Sequence, residues 1–318
     1  MSFKKNNFIF GPVPSRRLGI SLGIDLIPFK TCSLDCVYCE CGRTTNFTRI
    51  RKPFVSVDTI LEDLKPYLNK NNKLDYITFS GSGEPTLNSD IGKIIDRIKE
   101  ISNTPIAVLT NGTLLDDASV REDLLNSDLV LPSLDAVTPE IFNKINRPAK
   151  GVNILNTIEG IIKFRSEYNG KIWLEVFIAS GINDSKEELH KIHKTILKIN
   201  PDKVQLNTLD RPPAYDNIKS ITMDKLDQIR DEWKDLPVEI IKRIKKREEI
   251  LSFSKNLENN ILNTIIRRPL TIDDLSELTG KHNLELYKYI DVLAKEKKIR
   301  EKIINNKIFL IPFEKQIK

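Results

Sequence analysis

TCSLDCVYCECG, residues 31–42, contains all four cysteines of the chain: Cys32, Cys36, Cys39 and Cys41. Cysteines this close together favour a metal site over disulfide bonds, because such short loops suit disulfide geometry poorly and intracellular thiols stay reduced. The spacing Cys-x3-Cys-x2-Cys places three thiolates on one loop, where they can hold three irons of a [4Fe-4S] cluster. A structural zinc site is disfavoured, because such sites usually combine two cysteine pairs across a longer gap.

The sequence around this stretch alternates short apolar runs with longer amphipathic segments. The apolar runs predict six strands, at residues 21–27, 75–81, 105–111, 129–134, 172–179 and 203–209. Helical periodicity predicts helices between them, for instance at residues 57–68, 91–101, 153–168 and 186–199. Six strand–helix units predict an α/β fold with a parallel sheet in the form of a partial or complete (βα)6 TIM-type barrel, with functional residues at the carboxyl ends of the strands.

The C-terminal part has a different pattern. Three short amphipathic helices, one of them with Thr271 as its N-cap, precede two alternating strands that turn about Asn305 and Asn306. This order is typical of a winged helix-turn-helix domain. The predicted domains are an N-terminal extension (1–19), the barrel (20–235), a linker (236–255) and the winged helix (256–318).

Composition and charge indicate which partners and which cellular location to expect. The chain has 318 residues, 40% of them hydrophobic, and a net charge of +6. Residues 241–318 contain 18 Lys and Arg and 11 Asp and Glu, so this part carries the positive charge. A basic C-terminal domain fits a nucleic-acid partner or an ordinary solvated surface. The sequence has no apolar run that spans a bilayer and no signal peptide, so we expect no membrane contact and a cytoplasmic location.

Further motifs follow the predicted strands. Tyr38 occupies an aromatic position before Cys39, SGEP (82–85) follows the second strand and SLDA (133–136) follows the fourth. Over residues 20–210 this set resembles the radical S-adenosylmethionine (SAM) superfamily, with Ser82 where the family has a glycine. The resemblance is closest to the group of the wybutosine-synthesis tRNA enzyme and the molybdenum-cofactor cyclase, although the cysteines of a second cluster are absent here.

The resemblance implies a function and its cofactors. A [4Fe-4S] cluster would be bound by Cys32, Cys36 and Cys39, and it would cleave SAM reductively to a 5′-deoxyadenosyl radical that abstracts hydrogen from a substrate. An external one-electron reductant, ferredoxin or flavodoxin, is implied as partner. The substrate is open and includes RNA or another macromolecule reached through the winged helix.

The resemblance also implies residues that contact SAM. We expect Tyr38 to pack against adenine and the SGEP motif to meet the methionine amino group. The complete expected set is Tyr38, Gly83, Glu84, Pro85, Asn111, Ser133, Asp135 and Glu175. Arg16 and Arg17, just before the first predicted strand, are candidates for binding an anionic substrate or the SAM carboxylate, or for ordinary salt bridges.

Cys41 leaves alternatives open. As a free thiol near the active-site mouth it would leave the fourth iron to SAM. As a fourth ligand it would exclude SAM and make the protein an iron–sulfur redox-sensing DNA-binding regulator. Independently of Cys41, the protein could be an activase that generates a radical on a partner protein, with the winged helix as the docking site.

Overall fold

A computed structural model describes residues 8–68, 74–209, 213–241, 257–279, 286, 289–290, 293–294, 296–304 and 307–313. The strands are β1 Ile9–Ser15, β2 Gly19–Ile24, β3 Thr31–Cys32, β4 Asn46–Phe47, β5 Tyr76–Phe79, β6 Ile106–Thr110, β7 Leu129–Pro132, β8 Lys171–Phe177, β9 Lys203–Asn207, β10 Val238–Ile240, β11 Ile299–Ile304 and β12 Lys307–Pro312. The α-helices are α1 Val57–Leu68, α2 Ile91–Ile101, α3 Ala118–Leu124, α4 Pro139–Ile145, α5 Ile154–Glu167, α6 Lys186–Ile199, α7 Met223–Glu232, α8 Leu257–Arg267 and α9 Ile272–Thr279.

Eight strands form one sheet in the order β1-β2-β5-β6-β7-β8-β9-β10. The pairs from β2 to β10 are all parallel, so the expected α/β fold with a parallel sheet is confirmed. Two strands of this sheet were missed by the sequence analysis, as were β3 and β4, which pair with each other. β1 lies in the predicted N-terminal extension and pairs antiparallel with β2, and the short β10 adds a parallel strand beyond β9.

The helices begin and end where local sequence signals place them. Ser185 caps α6 by accepting a hydrogen bond from the backbone of Glu188, and Asn200 ends it in the left-handed conformation that asparagine tolerates. Asn153 caps α5 in the same way as Ser185 caps α6. The predicted helices 57–68, 91–101 and 186–199 coincide with α1, α2 and α6.

The two faces of the sheet carry different apolar clusters because successive strand residues point to opposite sides. One face, which includes Ile77, Val108 and Leu174, packs against the helices in the main core. On the other face a smaller cluster of Leu18, Ala107, Leu129 and Leu131 is packed with Tyr76, Leu109 and Trp173. This second cluster, called the apolar floor below, lies on the face of the sheet opposite the main core.

The C-terminal part has a core of its own, built from α8, α9 and the antiparallel pair β11 and β12. Thr271 caps α9, since its hydroxyl accepts a hydrogen bond from the backbone of Asp274 at 3.2 Å. Most of the predicted third helix, the turn at Asn305 and Asn306, and most of the predicted linker lie outside the described residues. In the part of the chain that the structure describes, no helix has the length and apolar character to cross a membrane.

Candidate active site

The cysteine loop leaves the sheet after β2 and is held to the carboxyl end of α4. The backbone N–H of Asp35 donates to Asn146 O at 3.0 Å, and that of Val37 donates to Ile145 O at 2.9 Å. The carboxylate of Asp35 accepts a hydrogen bond from the backbone of Thr44 at 2.7 Å, which closes the loop on itself. The loop that carries the thiols is therefore held both by α4 and by a hydrogen bond within the loop.

Each of the three motif thiols accepts a hydrogen bond from a different nitrogen donor. The Asn111 amide lies 3.5 Å from Cys32 Sγ, and the Asn146 amide lies 3.4 Å from Cys36 Sγ. The ammonium group of Lys30 lies 3.1 Å from Cys39 Sγ. Hydrogen bonds to sulfur stabilise thiolates and tune the clusters that they hold. The arrangement therefore suits three thiolate ligands.

Burial keeps the thiols of Cys32 and Cys36 protonated unless positive charge is bound beside them. Burial, reinforced by Glu84, raises the pKa of Cys32 to about 12, and burial raises the pKa of Cys36. Thiols like these ionise when iron supplies compensating positive charge. Among the described residues, no three His, Cys, Asp or Glu side chains converge as tightly as a single metal ion requires. A [4Fe-4S] cluster places each thiolate on its own iron and needs no such convergence.

Lys30 is an unusual neighbour for a thiol because only 3% of its surface is exposed. Burial lowers its pKa, but Cys39 and Cys41 outweigh burial, so the net shift is upward. The pKa of Cys39 is lowered to about 5 by the neighbouring thiol of Cys41 and by the positive charge of Lys30. Lys30 is thus a buried cation beside a sulfur that readily carries negative charge.

Cys41 behaves differently from the other three cysteines. Its thiol donates to the backbone oxygen of Arg267 at 2.8 Å and lies 3.6 Å from the backbone oxygen of Gly81. A thiol that donates to a carbonyl keeps its proton, in line with a pKa raised by the neighbouring Cys39 and by burial. Cys41 therefore connects the cysteine loop to the end of α8.

The SGEP motif approaches the cysteine loop very closely. A Cβ atom on Gly83 would lie 2.1 Å from the backbone oxygen of Thr31, so no larger residue fits there. Gly81 has φ +141°, and a Cβ there would lie 2.3 Å from the Asp25 carboxyl carbon. Ser82, which departs from the family pattern, donates its hydroxyl to Asp25 at 2.8 Å. The serine is therefore accommodated by a carboxylate beside it.

Glu84 directs its carboxylate into the protein, and only 2% of its surface is exposed. One oxygen accepts the hydroxyls of Thr86 and Thr110, and the other accepts the backbone N–H of Asn111 at 2.7 Å. Burial raises its pKa in spite of these hydrogen bonds. Glu84 thus joins the SGEP turn to the end of β6, and it also positions Asn111, whose amide reaches Cys32.

Tyr38 and Asp135 form a second buried unit. The ring of Tyr38 stacks on Phe177 with centroids 3.8 Å apart, and its hydroxyl donates to Asp135. Asp135 also accepts the Asn146 amide at 2.7 Å and the Phe177 backbone N–H at 2.9 Å. Burial raises the pKa of Asp135 to about 6. Both of its oxygens therefore have protein donors, and it orients Tyr38 and Asn146.

The remaining predicted site residues lie nearby on the sheet. Ser133, directly after β7, pairs through its backbone with Glu175 on β8. The Glu175 carboxylate accepts the Asn207 amide at 2.7 Å and is bound to the guanidinium of Arg17. The structure thus brings the predicted residues to one end of the sheet, but Glu175 belongs to an ion pair with Arg17.

Two residues beside the thiols were missed by the sequence analysis. Lys30 directly precedes the cysteine stretch, and its position in an apolar context was the only available signal. Asn146 lies 110 positions after Cys36 in the sequence, and no local pattern connects the two residues. Long-range partners of this kind become visible only once the strand order is known.

Comparison with known proteins identifies the family to which the chain belongs. The family model described as Radical SAM superfamily matches residues 26–196. A protein named GTPase Obg from Brachyspira hyodysenteriae is 39% identical over 302 residues, which are 95% of this chain and 44% of that protein. The chain thus spans less than half the length of this relative. A UPF0026 protein of Methanocaldococcus jannaschii is 36% identical over 306 residues, 94% of each chain.

Among solved structures, a radical SAM methyltransferase from Sphaerobacter thermophilus has the same fold. The TM-score is 0.54 at 17% sequence identity, over 69% of this chain and 65% of the other. Members of the superfamily bind a [4Fe-4S] cluster and SAM, and these are the cofactors of this protein. The chain belongs to the radical SAM superfamily of iron–sulfur enzymes and, within it, to the UPF0026 proteins.

Proposed function

We propose that Cys32, Cys36 and Cys39 bind three irons of the cluster and that the fourth iron is left to SAM. The observation that carries this proposal is the division among the four cysteines. Three accept hydrogen bonds from nitrogen donors, whereas Cys41 donates to a backbone oxygen. When bound, the reduced cluster and SAM supply a 5′-deoxyadenosyl radical that abstracts a hydrogen atom from the substrate.

The chain's own residues position and shield these groups. Lys30, Asn111 and Asn146 stabilise the thiolates through the hydrogen bonds described above. Gly83 leaves room for its backbone to lie against the cysteine loop. Because the Glu84 carboxylate is occupied within the protein, we propose that the SGEP motif, including Pro85, meets the methionine amino group through backbone oxygens.

For the rest of SAM we propose contacts along the carboxyl ends of β7 and β8. Tyr38 offers the ring face opposite Phe177 to adenine, and Ser133 lies beside the ribose or the carboxylate. Asp135 acts by holding Tyr38 in place, because its oxygens already accept protein donors. Asn111 contacts the cluster ligand Cys32, whereas Glu175 lies on the substrate side, where it binds Arg17.

The enzyme requires an external one-electron reductant, and we propose ferredoxin or flavodoxin for this role. We also propose that the C-terminal unit is a winged helix within residues 256–318, supported by its own core and by the pairing of β11 with β12. Delivery of an RNA or protein substrate by this unit stays a prediction, because most of the expected recognition helix lies outside the described residues.

The hydrogen bond from Cys41 to Arg267 favours the enzyme over a redox-sensing regulator, since a regulator would need Cys41 as a fourth ligand. The test is formation of 5′-deoxyadenosine from SAM by anaerobically reconstituted, chemically reduced protein, quantified by mass spectrometry. We expect the product from the wild type and from Cys41→Ala, and none from Cys36→Ala. A fully loaded wild type that forms none, with or without candidate substrates, would refute the proposal.

A radical that ends on a co-purifying protein would instead favour the activase. Trapping that radical by freeze-quench spectroscopy distinguishes this outcome from reaction on a small molecule.

A further inference from the structure

A cleft of about 960 Å³, including the space at its open mouth, lies between the sheet and the C-terminal unit. Its walls come from the start of the chain, the cysteine loop, the interior face of the sheet and the end of α8. The lining residues that matter most are Arg16, Arg17, Cys41, Thr78, Arg267 and Arg268. A volume of this size accommodates one small-molecule ligand.

The cleft is rich in guanidinium groups. Arg16 and Arg17 lie on one wall, and Arg267 and Arg268, at the end of α8, lie on another; Glu40 is the acidic residue among the described lining residues. Four arginines face one carboxylate along this surface. Acidic residues behind the walls, Asp25 and Glu175, also pair with arginines of the cleft.

Those acidic neighbours pair loosely with two of the arginines. Arg16 Nη2 lies 3.6 Å from Glu40, and Arg267 Nε lies 3.6 Å from Asp25. Both distances exceed a hydrogen bond. Arg17 binds Glu175 closely, but Glu175 is shared with Asn207. These ion pairs hold the guanidinium groups in place along the cleft.

Two polar atoms in the same cleft are buried and have no described hydrogen-bond partner. They are Arg17 Nε and the hydroxyl of Thr78. Buried polar groups in native proteins nearly always find a partner, so atoms of this kind indicate a site for a polar ligand. Thr78 is on β5, inside the sheet, and Arg17 precedes β2, so the two atoms approach the cleft from different elements.

The cleft also adjoins the cysteine loop and the SGEP motif, which carry the proposed function. Its lining includes Cys41, next to the motif cysteines, and Ser80 and Gly81, which directly precede SGEP. Leu18 and Leu109 of the apolar floor close it below. A ligand held by the arginines would therefore lie between the apolar floor and the SAM side of the sheet.

We propose that this cleft is the substrate site and that the substrate is a small molecule carrying a phosphate or pyrophosphate group. This inference rests on the proposed function for the reaction, but the binding can be tested separately. Guanidinium groups match the oxygens of phosphate in bidentate geometry, and two adjacent pairs of arginines suit an anion of more than one charge. A folded RNA is disfavoured because the volume of the cleft suits one small-molecule ligand.

The test is calorimetric titration of the cluster-loaded, SAM-bound protein with inorganic pyrophosphate. We expect binding at millimolar or lower concentration, weakened about tenfold or more in Arg268→Ala and in Arg16→Ala, because each removes a charged hydrogen-bond donor. Arg165→Ala is the matched control, since Arg165 forms a partly exposed ion pair with Asp202 outside the cleft, and its affinity should equal that of the wild type. The two test variants lie on opposite walls, so failure of one to fold leaves the other.

Lack of pyrophosphate binding at millimolar concentration would overturn the inference, as would equal affinity in all the variants. Tight binding of a short RNA, lost in the same variants while pyrophosphate binds weakly or not at all, would replace the small molecule with RNA. The effect of SAM on the cluster spectrum is recorded on the same samples. A spectrum that responds to SAM in protein that ignores pyrophosphate refutes this inference alone. A spectrum that ignores SAM refutes the proposed function.

Discussion

The thiol of Cys41 donates a hydrogen bond to the backbone oxygen of Arg267, 2.8 Å away and 226 residues later in the chain. The contact joins the cysteine loop to the last residue of α8. It gives Cys41 a structural role, which agrees with our proposal that the fourth iron is left to SAM, and it ties the C-terminal unit to the cysteine loop.

We therefore predict that Cys41→Ala retains a full [4Fe-4S] cluster but is less stable than the wild type. The lost hydrogen bond should cost about 1 kcal/mol in the free energy of unfolding. Iron and sulfide analysis with anaerobic urea unfolding measures both effects. Cys39→Ala is the comparison and should lose the cluster. Loss of the cluster in Cys41→Ala as well would make Cys41 a ligand.

A second prediction concerns the buried cation at Cys39. Lys30→Met keeps the volume of the side chain but removes its charge and its hydrogen bond to sulfur. We expect the midpoint potential of the cluster to fall by an amount on the order of tens of millivolts, because the reduced, more negative cluster loses a stabilising neighbour. Redox titration followed by electron paramagnetic resonance measures this shift.

Lys30→Arg retains the positive charge and should stay closer to the wild-type potential. An unchanged potential in Lys30→Met, at full cluster content, would show that Lys30 does not act on the cluster electrostatically.

A third prediction concerns Glu84. In Glu84→Gln the amide nitrogen replaces an oxygen acceptor, so a donor faces either the Asn111 backbone N–H or the two threonine hydroxyls. We expect a loss of about 2 kcal/mol in the free energy of unfolding, because a buried donor is left unmatched. Urea unfolding measures it, and the exposed Glu187→Gln is the control. Equal stability of the two variants would contradict this account of Glu84.

A fourth prediction concerns pH. Since burial raises the pKa of Asp135 to about 6 from 3.8, the native state holds this proton over a pH range in which the unfolded chain releases it. Stability therefore falls as pH rises through this range, and from pH 5 to pH 7 the loss due to Asp135 should be about 1 kcal/mol.

Asp135→Asn removes this contribution, so the wild type should lose more stability than the variant between the two pH values. Urea unfolding of both proteins at each pH measures the difference. Parallel changes in the two proteins would show that Asp135 titrates normally in the native state.

Much of the fold was predictable because strands β2 and β5 to β9 are apolar runs and α1, α2 and α6 have strong helical periodicity. The antiparallel edge strand β1 was not predicted, because it contains glycine and two prolines and its pairing depends on β2. The three motif cysteines were predicted as cluster ligands from their spacing and from the resemblance to the radical SAM superfamily, and this assignment stays a prediction. The amide of Asn146 was not predicted, because its contact with Cys36 depends on how α4 packs against the cysteine loop.

The role of Arg17 shows the same limit. Its position before β2 suggested an anion site or a salt bridge, and the structure shows the salt bridge with Glu175. The proximity of Arg17 to Arg268 could not be predicted, because it depends on the C-terminal unit folding back toward the sheet.

The most direct test of the central claim is electron paramagnetic resonance of the anaerobically reconstituted, reduced protein, recorded with and without SAM. Cys41→Ala serves as the second sample. We predict that SAM changes the cluster signal in both proteins, because the fourth iron is open in each. A wild-type signal that is the same with and without SAM, in protein with a full cluster, would contradict the account.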